Sequence, residues 1–350
     1  GVYSGAKAAA KNINKAKKLN IKIVTCNSHA TVPGAQACAK AAVDAKAVAL
    51  IGSDPFLAAG FGVDTMTASS IPFSLYGASA SEYTGEHATE FPLTGGGFTP
   101  FLAFGTVAKK AGAKKVGIIR TEFPGQDVTG ANIKKVAQAQ GLDVVAETSA
   151  TLTATTFGSQ VQKLKAGGAD TVLIATPGSF GAPIVQAAKA IGFTPKWITA
   201  RAAFPGGDQF KAFSKAAGAN LWAVSSTPPI EALKNYPGLK MYAAQNRGIS
   251  LNNQDETSIS TWAAVYGYAA LAAKIKGPIT APKMLAAVRK GKNIKIGKGL
   301  VTWSPSKKGK APYVRLNNTT VYYGKVTNGK YIPNPKNGIV GWPSSVTLTK

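Results

Sequence analysis

The feature that most constrains this chain is an alternation of short apolar runs with helix-patterned stretches, sustained from Ile21 to Ala200. Parallel strands need a covering helix between them and are buried on both faces, so they appear as apolar runs bounded by helix. The alternation predicts an α/β fold with parallel sheets flanked by helices. The spacing predicts a first helix within "SGAKAAAKNINKAKKL", where Ala6, Ala9, Ala10 and Ile13 share one face and Lys7, Lys11, Lys15 and Lys18 line the other. A strand over Ile21–Cys26, a helix over Ala35–Lys46, a strand over Val48–Ile51 and a helix over Phe56–Ser69 follow. The strand-like "IPFSLYG" and a helix over Pro100–Ala111 close this cycle.

At Lys114 the cycle restarts with "KKVGIIRTEFPG", the helical "DVTGANIKKVAQAQG", "LDVVAET" and the helical "TFGSQVQKLKAGG". "ADTVLIATPG", a helix in "APIVQAAKAIG" and the strand "KWITA" come next. Helices near 258–275 and 282–290 precede a Gly-, Pro-, Lys- and Asn-rich stretch from Gly297 that predicts hairpin strands and a loop-rich tail. The halves repeat an architecture without a detectable sequence repeat. Two such lobes in tandem fit a cleft between them, with the ligand beyond the carboxyl ends of the strands. Those ends read "IGSDPF", "SLYGASAS", "IIRTEFPG", "IATPGSFG" and "ITARAAFPG", rich in glycine, proline, small hydroxyls and aromatics.

A chain of 350 residues can bury two full cores, and 45% hydrophobic residues exclude a disordered chain. No apolar run reaches the ~20 residues of a membrane helix; the best, Trp262 to Ala273, stops at Lys274. No signal-peptide pattern is present, and a mature exported protein lacks one too. The net charge of +26 raises a nucleic-acid reading. Against it, only five of the 41 basic residues are arginines, and the lysines are spread along the chain. Base and phosphate readers favour the planar arginine fork, so no nucleic-acid partner is expected. Lysines on solvated helix faces account for the charge, and they still attract an anionic membrane or cell-wall surface.

Cys26 ends a strand pattern and Cys38 lies on the next helix, so a bridge would close a strand–loop–helix hairpin; two unpaired thiols are the alternative. A bridge places the protein outside the cytoplasm. With no CxxC and no clustered histidine, neither a metal nor a cofactor is expected. His29 and His87 neighbour no nucleophile motif, and GxSxG, the P-loop lysine and HExxH are all absent. The triplet Gly95–Gly97 lacks a following Lys-Ser/Thr and reads as a loop. The chain is expected not to be an enzyme.

In this order, "GAKAAAKNIN", "AVALIGS", "IPFSLYGAS", "AKKVGIIRTEFPG", "FGSQVQKLKAGGADTVLIATPGSFGAPIVQAAKAIG" and "STWAAVYGYAALAAKI" resemble the type I periplasmic solute-binding proteins. The match is to the leucine/isoleucine/valine-binding branch, over residues 5–310. The resemblance implies two Rossmann-like lobes joined by three crossovers, 1–112 with 227–302 and 113–226 with 303–350. It further implies a monomer outside the cytoplasm, periplasmic or tethered to the outer membrane face, closing on a small-molecule ligand and docking on an ABC transporter permease. The family has a further strand and ligand-site loop before the first helix, and this sequence starts at Gly1 inside that loop. Either residues lie upstream, or another segment fills the slot.

Carried over residue by residue, the resemblance puts a ligand carboxylate on "GSDPF" and "YGASA". Ser53, Asp54, Phe56, Tyr76, Ala78 and Ser79 are the candidates there. Asp54 before Pro55 also has the pattern of a helix cap and first helical residue, and Phe56 stands where the family commonly has a hydroxyl. On the facing lobe the candidates are Glu122, Phe123, Gly178, Phe180 and Arg201. Arg201 occupies the place of the family's ammonium-pairing carboxylate, and an arginine facing an ammonium repels it. It either points into the cleft toward a carboxylate or braces the hinge. Glu122 is either the missing anion or a solvent-facing loop residue. With Phe56, Tyr76, Phe123, Phe180 and Phe204 at the loop mouths, the expectation is a small organic acid, aromatic in part, rather than a zwitterionic branched-chain amino acid. The resemblance implies an importer receptor; a sensing module of the same fold and a surface polyanion binder are the alternatives.

Overall fold

The alanine–lysine stretch at the start folds as α1 (Val2–Lys15), with Ala6, Ala9, Ala10 and Ile13 buried and Lys7, Lys11 and Lys15 exposed. The computed structural model describes residues 2–16, 19–77, 79–123, 125–204, 207–248, 255–327, 329–333 and 338–350. The chain divides into two units, Gly1–Gly96 with Leu233–Asn318 and Lys350, and Gly97–Ala232 with Thr319–Thr349.

In the first unit, α2 (Val32–Asp44) starts where the Thr31 side chain accepts a hydrogen bond from Gly34 N at 3.1 Å. Strand β1 (Leu50–Gly52) leads through α3 (Pro55–Ala58) and α4 (Val63–Ala68) to β2 (Phe73–Leu75) and α5 (Ser81–Thr84). The single helix expected over 56–69 is two short ones, because Gly60 (φ 107°) and Gly62 (φ 93°) turn the chain through left-handed backbone. Leu57, Met66, Ile71 and Phe73 pack with Ala35 and Ala39 as this unit's core.

The second unit opens with α6 (Phe98–Leu102) and α7 (Phe104–Lys110), again two helices where one over 100–111 was expected. It continues through β3 (Lys115–Thr121), α8 (Gln126–Ala139), β4 (Asp143–Ala150), α9 (Gly158–Ala166) and β5 (Thr171–Ala175). Then come α10 (Gly178–Ala190), β6 (Lys196–Ala200), α11 (Gly207–Ala217) and β7 (Leu221–Ser225). The chain returns to the first unit for α12 (Pro237–Gln245), α13 (Glu256–Ala272), α14 (Ala281–Lys290) and the antiparallel hairpin β8 (Ile294–Ile296) and β9 (Val301–Trp303). It ends in the second unit with β10 (Thr320–Thr327), β11 (Lys330–Pro333) and β12 (Ile339–Val340).

The second unit's sheet runs β11-β10-β7-β6-β5-β3-β4, with β12 on β10. From β4 to β7 it is parallel, and β10 joins antiparallel. Val116, Ile118, Val172, Leu173, Ile174 and Ile198 are all 1% exposed or less, as helices on both faces require. In the first unit α1 lies on α13 so closely that a Cβ on Gly5 would fall 2.0 Å from the Ser258 carbonyl oxygen. Here β1 and β2 pair in parallel with each other, and Phe73 of β2 makes a single parallel bridge to Glu90.

The strand expected at Ile21–Cys26 is a correction: the segment belongs to no strand ladder. Its first backbone groups go to a side chain, Ile21 N donating to Asn14 Oδ1 at 2.7 Å and Ile21 O accepting from Asn14 Nδ2 at 2.8 Å. The Tyr3 hydroxyl donates to Cys26 O, and Val24 stays 60% exposed. The Cys26–Cys38 disulfide is formed, with Cα atoms 5.6 Å apart, and ties this segment to α2.

The units' boundaries also differ from the expected lobes. Residues 97–112 pack in the second unit, where a Cβ on Gly105 would meet Ala137 Cα at 2.6 Å. Residues 303–318 pack in the first, held by Trp303 Nε1 to Pro92 O at 3.2 Å and Arg315 N to Tyr83 O at 2.9 Å.

Candidate functional site

The loops after β1 and β2 are tied together. Tyr76 N donates to Gly52 O at 2.8 Å, and Ser53 Oγ donates to Tyr76 O at 2.9 Å. Asp54 acts as a cap: its Oδ1 accepts from Leu57 N at 2.7 Å, and Ser28 Oγ donates to its other oxygen. Beyond β2 a half-buried hydroxyl chain runs from Ser79 Oγ to Ser81 Oγ (2.8 Å) and on to Ala58 O (3.0 Å). Tyr76 is buried beside these groups. Ala78 and the Phe56 side chain lie outside the described residues.

Under this turn sit two acids that the sequence reading passed over. Glu82 and Glu90 are each 1% exposed. Glu82 Oε2 lies so near Gly77 that a Cβ there would fall 2.2 Å from it and 2.6 Å from the Ala58 Cβ, so any larger residue at 77 would displace the carboxylate. Burial pushes the Glu82 carboxyl well above the ordinary range, the Glu90 charge pushes it further, and the Gly77 backbone offsets only part. Glu90 is likewise raised by burial, against the pull of Arg315, whose guanidinium lies 4.3 Å over the Phe91 ring. Glu90 Oε2 is 2.5 Å from His87 Nδ1, and burial lowers the His87 pKa. Burial thus disfavours the charged form of both groups at this contact. The signal was present in "SEYTGEHATE", where three of the chain's 15 acids fall within ten residues.

In the second unit the candidates separate by environment. Glu122, after β3, is exposed and accepts from Ser149 Oγ at 2.8 Å, the arrangement of a loop carboxylate. Phe123 beside it is half-buried. Gly178 opens α10 where a Cβ would meet Ala203 O at 2.5 Å and the Phe204 ring at 2.6 Å, so the loops after β5 and β6 touch there. Phe180 and Phe204 belong to the core: Phe180 packs on Phe157 at 5.0 Å, and Phe204 stacks on Phe213 at 5.3 Å. Arg201 is 7% exposed, and its guanidinium lies 4.5 Å over the Phe210 ring with Nη1 donating to Phe204 O at 2.9 Å. In this geometry Arg201 braces its own loop.

His29 sits on an exposed loop with φ 53°. Among the described residues no group of three His, Cys, Asp or Glu is placed to hold a metal, and no helix is long and apolar enough to cross a membrane. What the loops offer is hydroxyls, backbone groups and a short helix start at the carboxyl ends of strands, which is the equipment of a small-molecule binding protein.

That class narrows on comparison. The family model for periplasmic binding proteins matches residues 1–327, and the chain belongs to that family. Comparison by sequence with curated proteins gives no match. Among solved structures the chain is similar to an ABC transporter substrate-binding protein from Aeropyrum pernix, with TM-score 0.80 and 16% identity over 99% of this chain and 92% of that one. It is similar to a solute-binding protein of an ABC transporter from R. palustris in complex with 4-hydroxybenzoate, with TM-score 0.74 and 20% identity over 98% and 93%. A third is the branched-chain amino acid transporter substrate-binding protein LivJ from Streptococcus pneumoniae in complex with isoleucine, with TM-score 0.71 and 19% identity over 96% and 93%.

Proposed function

We propose that this protein is an extracytoplasmic receptor, acting as a monomer, that captures a small organic ligand and delivers it to an ABC importer by hinge closure. The observation that carries the reading is the half-buried hydroxyl chain Ser79–Ser81–Ala58 beside the tied loops of β1 and β2, in a chain of this family. Ser53 and Ser79 with the neighbouring backbone are proposed to hold a polar head, such as a carboxylate. Tyr76 and Phe123 are proposed to meet an apolar or ring portion, with Glu122 available to a cationic group. The Cys26–Cys38 disulfide fits an oxidising compartment, periplasmic or on the outer face of the cell membrane.

The ligand class is amino-acid-like or a carboxylate, aromatic acids included. With its guanidinium over Phe210, Arg201 no longer argues against an ammonium group, so amino acids stay within the class. A thermal-shift screen against amino acids, aromatic acids, dicarboxylates and polyamines tests this. A ligand present at 100 times its dissociation constant stabilises by ~2.7 kcal/mol. A shift confined to polyamines would contradict the reading.

A further inference from the structure

The last acidic residue of the chain is Glu256, and sixteen lysines and arginines follow it. Their placement in the first unit is not uniform. Between Arg289 and Lys310 every cationic side chain is exposed, and none is in an ion pair among the described residues. The end of α14 and the loop after β9 are stitched together: Ser306 N donates to Gly291 O at 3.0 Å, and Asn293 N donates to Ser304 Oγ at 2.9 Å. The stitch sets the backbone that carries Lys290 and Lys292 against the backbone leading into Lys307 and Lys308, with Arg289 and Lys310 flanking it in sequence. Glu86, an exposed acid of the same unit, is already paired with Lys350.

We propose that this surface docks the protein on an anionic phospholipid bilayer. Unpaired like charges held close together repel one another, and a dense array of phosphate headgroups relieves that repulsion. All but one of these cations are lysines, which bind as point charges, and Trp303 within the segment and Tyr313 just after it are each 2% exposed, leaving no platform for stacking bases. Among the described residues the exposed large hydrophobic ones (Tyr3, Val24, Leu152, Ile332 and Val340) all lie outside this surface. Attachment is therefore electrostatic, without insertion, and is screened by salt.

The test is co-sedimentation of the full chain with vesicles of phosphatidylglycerol and phosphatidylcholine, against vesicles of phosphatidylcholine alone. One variant carries Lys290→Glu, Lys292→Glu, Lys307→Glu and Lys308→Glu. The control carries Lys109→Glu, Lys110→Glu, Lys163→Glu and Lys189→Glu, an equal change of net charge on exposed positions of the second unit. The expected result is binding to the anionic vesicles alone, lost in ~0.5 M salt. The first variant should lose at least about tenfold in affinity and the control no more than about threefold. Equal losses in both variants would assign the effect to net charge and overturn the proposal, as would no binding by the unaltered protein. Binding to duplex DNA that is tighter than to vesicles at equal phosphate and persists in ~0.5 M salt would also overturn it, in favour of a nucleic-acid surface. Circular dichroism of both variants confirms that they are folded.

Discussion

Ile21–Cys26 and Lys115–Thr121 have the same kind of sequence and opposite fates. Both are short apolar runs between helices, "IKIVTC" and "KVGIIRT". The second becomes β3, hydrogen-bonded to β4 on one side and β5 on the other, with Ile119 fully buried. The first stays outside any ladder and leaves Val24 exposed. A strand is a property of neighbours as much as of residues: a parallel strand satisfies none of its backbone groups alone. Where the ladder is missing, an asparagine side chain and a disulfide hold the segment instead.

The largest effect expected from this contrast is in the core of β3. Ile119→Ala should cost about 2–5 kcal/mol, whereas Val24→Ala should stay within about 0.5 kcal/mol, both by denaturant unfolding. A comparable cost at Val24 would break the comparison. Removing the disulfide with Cys26→Ser and Cys38→Ser should cost about 3 kcal/mol. Hydrogen exchange should rise around residues 19–46 and not in β3 to β7. Glycines divide in the same way. Gly178→Ala drives a Cβ into Ala203 O and should cost about 1–3 kcal/mol, while Gly52→Ala meets nothing within 4 Å and should be near neutral. Melting temperatures of the two variants check this.

A smaller, pH-dependent effect sharpens the account of the first unit. Because Glu82 and Glu90 have raised pKa values in the folded chain, folding takes up protons where the unfolded carboxyls have released them. Their stabilising contribution is complete below the ordinary carboxylate pKa and is lost as the pH rises toward and through the folded values. Melting temperature should therefore fall from pH 5 toward pH 8, and Glu82→Gln should flatten that fall, by at most about 1.4 kcal/mol per pH unit. An identical profile in the variant would show that Glu82 holds no proton there.

The α/β class was legible because apolar runs buried on both faces leave an unmistakable alternation; the Cys26–Cys38 bridge was legible as one of two alternatives, and it forms although the strand expected to carry Cys26 does not. The glycine breaks at Gly60 and Gly62 were readable but outweighed by helical spacing across them. The candidate site was legible as loops and less so as side chains. Asp54 announced its cap through the following proline, yet no pattern reveals which way an arginine turns, and Arg201 turned to Phe210. Phe180 and Phe204 look alike in sequence whether they line a mouth or a core, and packing put both in the core. Glu82 and Glu90 were missed because a carboxylate in sequence is taken as solvated until its neighbours are known.

The claim at the centre is that this chain binds one small organic molecule through the hydroxyl-rich loops of its first unit. Isothermal titration of the compound giving the largest thermal shift tests it most directly, on the unaltered protein and on Ser79→Ala. The account predicts one site per chain, weakened about fivefold to tenfold in the variant through loss of one hydrogen bond. Saturable binding that Ser79→Ala leaves unchanged, or no heat with any amino acid or organic acid, would contradict it.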